Sequence, residues 1–115
     1  MKRSLLVVDD DEAILRTVKK IFETNGYNVQ TAASGEAALE IMRQDFSGLV
    51  LMDIEMPGMD GWDTIEQIVR EQLHEDVIIC MLTGRESPGK KMEGLKEYVL
   101  DYIRKPFDAE KLLEV

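Results

Sequence analysis

Apolar residues along this chain switch between two periods. Short apolar or β-branched runs, Leu5 to Val8, Val29 to Thr31, Leu49 to Met52, Val77 to Leu82 and Tyr102 to Arg104, predict strands. The segments between them repeat apolar positions every three or four residues and predict helices. The first helix is the clearest, with Ile14, Leu15, Val18, Ile21 and Phe22 on one stripe and Glu12, Arg16, Lys19, Lys20 and Glu23 on the other. Asn25-Gly26 closes it. Further helices are predicted from Ser34 to Arg43, Gly61 to Leu73, Pro88 to Tyr98 and Asp108 to Val115. Five strands alternating with five helices predict one α/β domain over residues 1–115, with a parallel sheet covered on both faces through right-handed crossovers. The last helix is short, as it would be if cut off early or if a further domain followed. No internal repeat, linker or low-complexity stretch interrupts the pattern.

Composition narrows the class. A chain of 115 residues with 44% hydrophobic content supports a core without metal or disulfide staples. Its 14 Lys and Arg against 23 Asp and Glu leave a net charge of −9, and no basic cluster is present, which argues against binding a nucleic-acid backbone. Cys80 is the only cysteine, so no internal disulfide forms, and a cytoplasmic location is expected. Met1-Lys2-Arg3 followed by Leu5 to Val8 imitates the start of a signal peptide, but the apolar run meets three aspartates after four residues. No apolar stretch approaches the roughly 20 residues that span a bilayer, so no membrane partner is expected.

In an open parallel α/β sheet, ligands bind beyond the carboxyl ends of the strands. The first strand exits into Asp9-Asp10-Asp11, the third into Asp53, the fourth into Thr83-Gly84 and the fifth into Lys105-Pro106. Neighbouring strands lie about 4.8 Å apart, so if the first and third are adjacent, Asp9, Asp10 and Asp53 converge on one small volume. Their repulsion is relieved by raised pKa values or by a bound cation, and an oxygen-only cluster open to water suits Mg²⁺. With the Lys105 ammonium and the Thr83 hydroxyl nearby, the set has the parts of a phosphoryl-transfer site, in which Asp53 is the natural nucleophile. Each residue alone has a plainer reading. Asp11 caps the first helix, Asp9 and Asp10 are caps or surface residues, Thr83 ends a strand and Lys105 sits in a turn. Their joint occurrence at four matching exits is what chance does not supply.

The segments Leu6-Val7-Val8-Asp9-Asp10-Asp11-Glu12, Leu51 through Gly61 (LMDIEMPGMDG), Leu82-Thr83-Gly84 and Asp101-Tyr102-Ile103-Arg104-Lys105-Pro106-Phe107 resemble, in order and spacing, the receiver domain of two-component response regulators. The resemblance covers essentially the whole chain. It implies a doubly wound, flavodoxin-like sheet of order 2-1-3-4-5, with Asp53 as phosphoacceptor. Mg²⁺ would be held by Asp10, Asp53 and the main-chain carbonyl of Glu55, with Asp9 supporting the ligands. Thr83 and Lys105 would bind phosphoryl oxygens, Tyr102 would be the aromatic whose rotation follows Thr83, and the Lys105-Pro106 bond would be cis. The donor implied is a phosphohistidine of a sensor kinase or phosphotransfer protein. The output implied is a shift in the fourth and fifth βα units, with an unidentified effector downstream and a homodimer through that face as one assembly the family permits. Glu55 and Arg85 stand where the family places residues flanking the approach of hydrolytic water, and they are expected to tune the lifetime of the acyl phosphate by pairing.

Two departures from the family pattern fall before the fifth strand. A Gly-Ala pair usually closes the fourth helix there, whereas this chain has Tyr98-Val99, and the helix carries Gly89 and Gly94 at up to about 1 kcal/mol each relative to alanine. It is expected to be the least stable helix. Two other classes compete with the receiver reading. Gly84 through Lys91 nearly fits a P-loop, but Lys91 replaces the metal-binding hydroxyl and little chain remains for nucleotide recognition. A receiver-like interaction module working without phosphate keeps the fold, yet has no physical need for three crowded carboxylates.

Overall fold

The computed structural model describes residues 3–84 and 94–114. Five strands, β1 (Arg3–Val8), β2 (Tyr27–Ala32), β3 (Gly48–Asp53), β4 (Val77–Thr83) and β5 (Val99–Arg104), form one sheet of order β2-β1-β3-β4-β5. All pairs are parallel, with Val7 opposite Leu51 and Asp53 opposite Leu82. The first and third strands are therefore neighbours, the condition on which convergence of the aspartates depended. Among the described residues the helices are α1 (Glu12–Thr24), α2 (Gly35–Met42), α3 (Gly61–Arg70) and α4 (Ala109–Leu113), with a 3-10 turn at Lys96–Tyr98.

Strand alternation divides the core in two. Leu6, Val8, Val50, Met52, Ile79 and Met81 point to the face covered by α2 and α3, where Leu39, Trp62, Ile65 and Ile68 meet them. Leu5, Val7, Leu51, Cys80 and Leu82 point to the opposite face, against Leu15, Val18 and Phe22 of α1 and Leu112 of α4. Burial on both sides explains why these strands read as continuous apolar runs rather than alternating ones. The Cys80 thiol lies inside this second core, and burial, then the nearby Asp101 charge, push its pKa up to about 11.

Helix ends follow local chemistry. Asp11 caps α1 by accepting from the Ala13 amide at 2.9 Å, Ser34 caps α2, and Asp60 with Asp63 forms a capping box on α3. The third helix ends at Arg70, three residues before the predicted end. Gln72 takes a left-handed φ of 57° and the Leu73 amide bonds back to the Ile68 carbonyl at 2.9 Å, a Schellman stop.

The fourth helix requires the main correction to the expected set of five. Residues 88–93 of that prediction, Gly89 among them, lie outside the described residues, and its described end is a turn and the 3-10 segment rather than α-helix. Gly94 is not in a helix interior: its φ is +80°, a left-handed position that suits glycine.

A close backbone contact fixes the exit of β3. A Cβ built on Gly61 would lie 2.5 Å from the Asp53 carbonyl oxygen, and the Gly61 amide donates to the Ile54 carbonyl at 2.9 Å. The first turn of α3 therefore rests directly on the peptide that carries Asp53. Gly61→Ala is expected to destabilise the fold by about 1–3 kcal/mol through overpacking, measured as a lower urea midpoint with unchanged slope.

Candidate functional site

The described residues at the strand exits meet at the carboxyl edge of the sheet. Asp9 is the first residue past β1, Asp53 the last of β3, Thr83 the last of β4, and Lys105 the first past β5. The ligand oxygens of Asp9, Asp10 and Asp53 lie within 4.8 Å of one another. Asp9 is 0% exposed and Asp53 is 2% exposed, whereas Asp10 faces solvent. The cluster is thus buried at its base and open at its rim.

Two buried carboxylates side by side need a cation. The Lys105 ammonium donates to Asp9 Oδ2 at 2.9 Å and lies 3.2 Å from Asp53 Oδ1. Its own backbone is tied to the neighbouring strand, because the Lys105 amide donates to the Thr83 carbonyl at 2.7 Å. The Lys105-Pro106 bond is cis. The other Asp9 oxygen accepts from the Asp11 amide at 2.9 Å, and the Glu55 amide donates to Asp53 Oδ1 at 3.3 Å. Asp9 is therefore consumed by internal partners, while Asp10 remains open towards water.

The electrostatics follow from this packing. Burial, then the adjacent Asp9 charge, push the Asp53 pKa up to about 7, although Lys105 and the Glu55 amide pull the other way. Burial lowers the Lys105 pKa, but its hydrogen bond and charge contacts with Asp9 and Asp53 outweigh that, so the net shift is upward and the ammonium stays charged. One lysine does not balance the carboxylates around it. An unneutralised, oxygen-only cluster with one water-facing member fits a small hard divalent cation such as Mg²⁺.

Tyr102 on β5 is half-buried, its ring tilted against Trp62 of α3 at 6.3 Å between centroids, and its hydroxyl has no hydrogen-bond partner among the described residues. Trp62 was not singled out by its sequence position, since an apolar residue on a helix stripe signals core. Arg85 lies outside the described residues. Among the described residues, Glu55 Oε1 accepts from the Gly84 amide at 3.2 Å.

An open, doubly wound α/β domain with paired carboxylates, a lysine and a threonine on four strand exits belongs to the class of domains that handle a ligand at the carboxyl edge of the sheet. A family model, the response regulator receiver domain, matches residues 5–115. The chain belongs to that family. It is 36% identical over 109 residues to response regulator MprA of Mycolicibacterium vanbaalenii, covering 95% of this chain and 46% of that protein. The MprA protein of Mycobacterium ulcerans is 35% identical over 113 residues, 98% of this chain and 48% of its own length. The chain thus spans about half the length of these curated relatives. Among solved structures, a CheY-like receiver domain protein from Methanospirillum hungatei JF-1 superposes with a TM-score of 0.94 at 46% identity, covering 99% of this chain and 90% of that one. Vibrio cholerae CheY4 superposes at 0.89 with 32% identity, covering 99% and 95%.

Proposed function

We propose that this domain is a signalling phosphoacceptor that takes a phosphoryl group from a phosphohistidine of a sensor kinase or phosphotransfer protein onto Asp53. The observation that carries this reading is the Lys105 ammonium lying within 3.2 Å of Asp53 Oδ1 in a cluster of three converging carboxylates. In the transfer, an Asp53 oxygen bonds to phosphorus as the phosphorus–nitrogen bond breaks, and the imidazole leaves with the electron pair. Lys105 and the Thr83 hydroxyl stabilise charge on the phosphoryl oxygens. Asp10, Asp53 and the Glu55 carbonyl would hold Mg²⁺, with Asp9 orienting Lys105 and the ligands. When bound, the ion supplies further positive charge to the same oxygens. The acyl phosphate then draws Thr83 and Lys105 towards it, and Tyr102, whose buried hydroxyl has no described partner, responds to the space that Thr83 leaves. The β4 and β5 units carry the change to an effector. Among the described residues no helix is long and apolar enough to cross a membrane, and we place this signalling step in the cytoplasm.

The test is intact-mass analysis after incubation with acetyl phosphate and Mg²⁺, with metal affinity measured in parallel by calorimetry. Wild-type protein is expected to gain one phosphoryl group, and none without the metal. Asp10→Ala should weaken Mg²⁺ binding by roughly tenfold or more, because one of two direct carboxylates is lost. Asp11→Ala removes only a helix cap and should change that affinity less than about twofold. Equal losses in the two variants would remove Asp10 from the ligand set.

A further inference from the structure

The end of the sheet opposite Asp53 holds a second concavity. Leu6 pairs with Gln30 and Val8 with Ala32, and Leu6, Val8 and Ala32 all face the core under α2, so by strand alternation Ser4 and Gln30 lie on that same face of β1 and β2. There the sheet turns polar. Helix α2 covers the face only as far as Met42; the chain then leaves through Asp45 at a left-handed φ of 62°, and Phe46 packs against the core. A cavity of about 240 Å³ remains between sheet and loop, lined by Ser4 and Gln30 from the strands, Ile41 from α2 and the loop residues 44–47. The loop is held at both ends. The Gln44 amide donates to the Ile41 carbonyl at 3.1 Å, the Gly48 amide donates to the Asp76 carbonyl at 3.0 Å, and a Cβ built on Gly48 would lie 2.4 Å from the Ser4 carbonyl oxygen. The walls are therefore in place before any ligand arrives, which lowers the ordering cost of binding.

The lining groups share one chemistry. Among the described residues, the side chains of Ser4, Gln30, Gln44, Asp45 and Ser47 make no hydrogen bond within the chain. Their two hydroxyls and two amides both donate and accept, the Asp45 carboxylate only accepts, and no lysine, arginine or histidine lines the cavity. Ile41 and Phe46, both half-buried, supply an apolar wall. The volume lies just under the roughly 300–1,000 Å³ of pockets for drug-sized ligands and suits a single ring with its substituents. We propose that this cavity binds a compact polyhydroxylated molecule of monosaccharide size, uncharged or carrying one positive charge. Its hydroxyls meet the uncommitted amides and hydroxyls, and its C–H face lies on Phe46. Asp45 sets the specificity by attracting an ammonium group and repelling a carboxylate. The site is separate from the Asp9, Asp10 and Asp53 cluster, and the inference does not depend on the phosphoacceptor reading.

The experiment follows backbone amide resonances while the protein is titrated at about pH 6 with glucose, with glucosamine, whose amine is then protonated, and with glucuronate. Each is taken to about 50 mM, because an open site of this size is expected to bind in the millimolar range. Glucosamine should shift the amides of Ser4, Gln30 and residues 44–47 saturably. Glucose should shift the same set with about two- to fivefold lower affinity, the worth of one exposed ion pair, and glucuronate none of them. Asp45→Asn keeps a residue type that tolerates the left-handed backbone. It should bring glucosamine down to the affinity of glucose and change glucose less than about twofold. Gln30→Met keeps the side-chain length at an exposed strand position and should weaken both sugars about two- to tenfold, the worth of one uncharged hydrogen bond. Unchanged resonances along β3 and β4 establish that each variant is folded. Absent or unsaturable shifts with glucose and glucosamine in the wild type overturn the proposal, as does glucuronate binding as tightly as glucosamine. Shifts that both variants leave unaltered would place the sugar elsewhere and overturn it equally.

Discussion

Asp53→Asn is expected to abolish phosphoryl acceptance and, in the absence of metal, to make the fold more stable at pH 8. The first effect follows from loss of the nucleophilic oxygen, and intact-mass analysis with any donor should show no adduct. The second follows from the position of the carboxylate. Asp53 is almost wholly buried beside Asp9, and its pKa stands at about 7 in the fold against about 4 in an unfolded chain. A carboxyl whose pKa is raised on folding contributes stability that is fully present below about pH 4 and is lost as pH rises through about 7. The interval corresponds to an upper limit of roughly 4 kcal/mol. Asparagine removes the charge but also one acceptor of Lys105, so a net gain of about 1–3 kcal/mol at pH 8 is expected. Urea unfolding at pH 5 and pH 8 checks it: wild type should lose stability relative to the variant between the two values. Parallel behaviour of the two proteins would mean that Asp53 ionises in the fold without penalty.

Lys105→Ala should have the opposite effect on stability. Its ammonium touches both Asp9 and Asp53, and without it two buried carboxylates face each other with no cation between them. Removing one partner of a buried charge pair costs about 3–5 kcal/mol. The ammonium here is partly in contact with water, so roughly 2–4 kcal/mol is expected at pH 8, and less at pH 5, where Asp53 takes up a proton. Mg²⁺ should restore more stability to this variant than to wild type, because the metal no longer shares the carboxylates with a competing positive charge. Metal affinity is therefore expected to hold or to increase while phosphorylation slows. Calorimetry decides the matter. A loss of Mg²⁺ affinity as large as that of Asp10→Ala would show that Lys105 organises the pocket rather than contacting the phosphoryl group.

The two variants bring out how differently the aspartates near β1 behave. Asp9, Asp10 and Asp11 are adjacent and chemically identical, yet one is buried on a lysine, one faces water and one caps a helix. Only the third role was legible locally, because a cap is made with an amide two residues away. The other two depend on which way the chain turns as it leaves the sheet and on Lys105, 96 residues further on. The fourth helix shows the same limit from the other side. Its apolar spacing suggested a helix running to Tyr98, whereas Gly94 turns the chain left-handed and a 3-10 turn leads into β5. A glycine inside a periodic pattern does not by itself say whether it weakens a helix or ends one.

Period, caps and the residue types at the strand exits were fixed by the order of amino acids alone, because each depends on contacts within a few positions along the chain. Helix α1 with its Asp11 cap, α2 between Ser34 and Arg43, and the two-sided burial of β1, β3 and β4 all fall in this class. Tertiary structure decided the rest: the adjacency of β1 and β3, the seating of Lys105 between Asp9 and Asp53, the contact of Gly61 with the Asp53 peptide, and the reach of Glu55 to Gly84. These are interactions between segments far apart in the chain. Their energies depend on burial and on distances of a few ångströms, which exist only once the sheet has assembled.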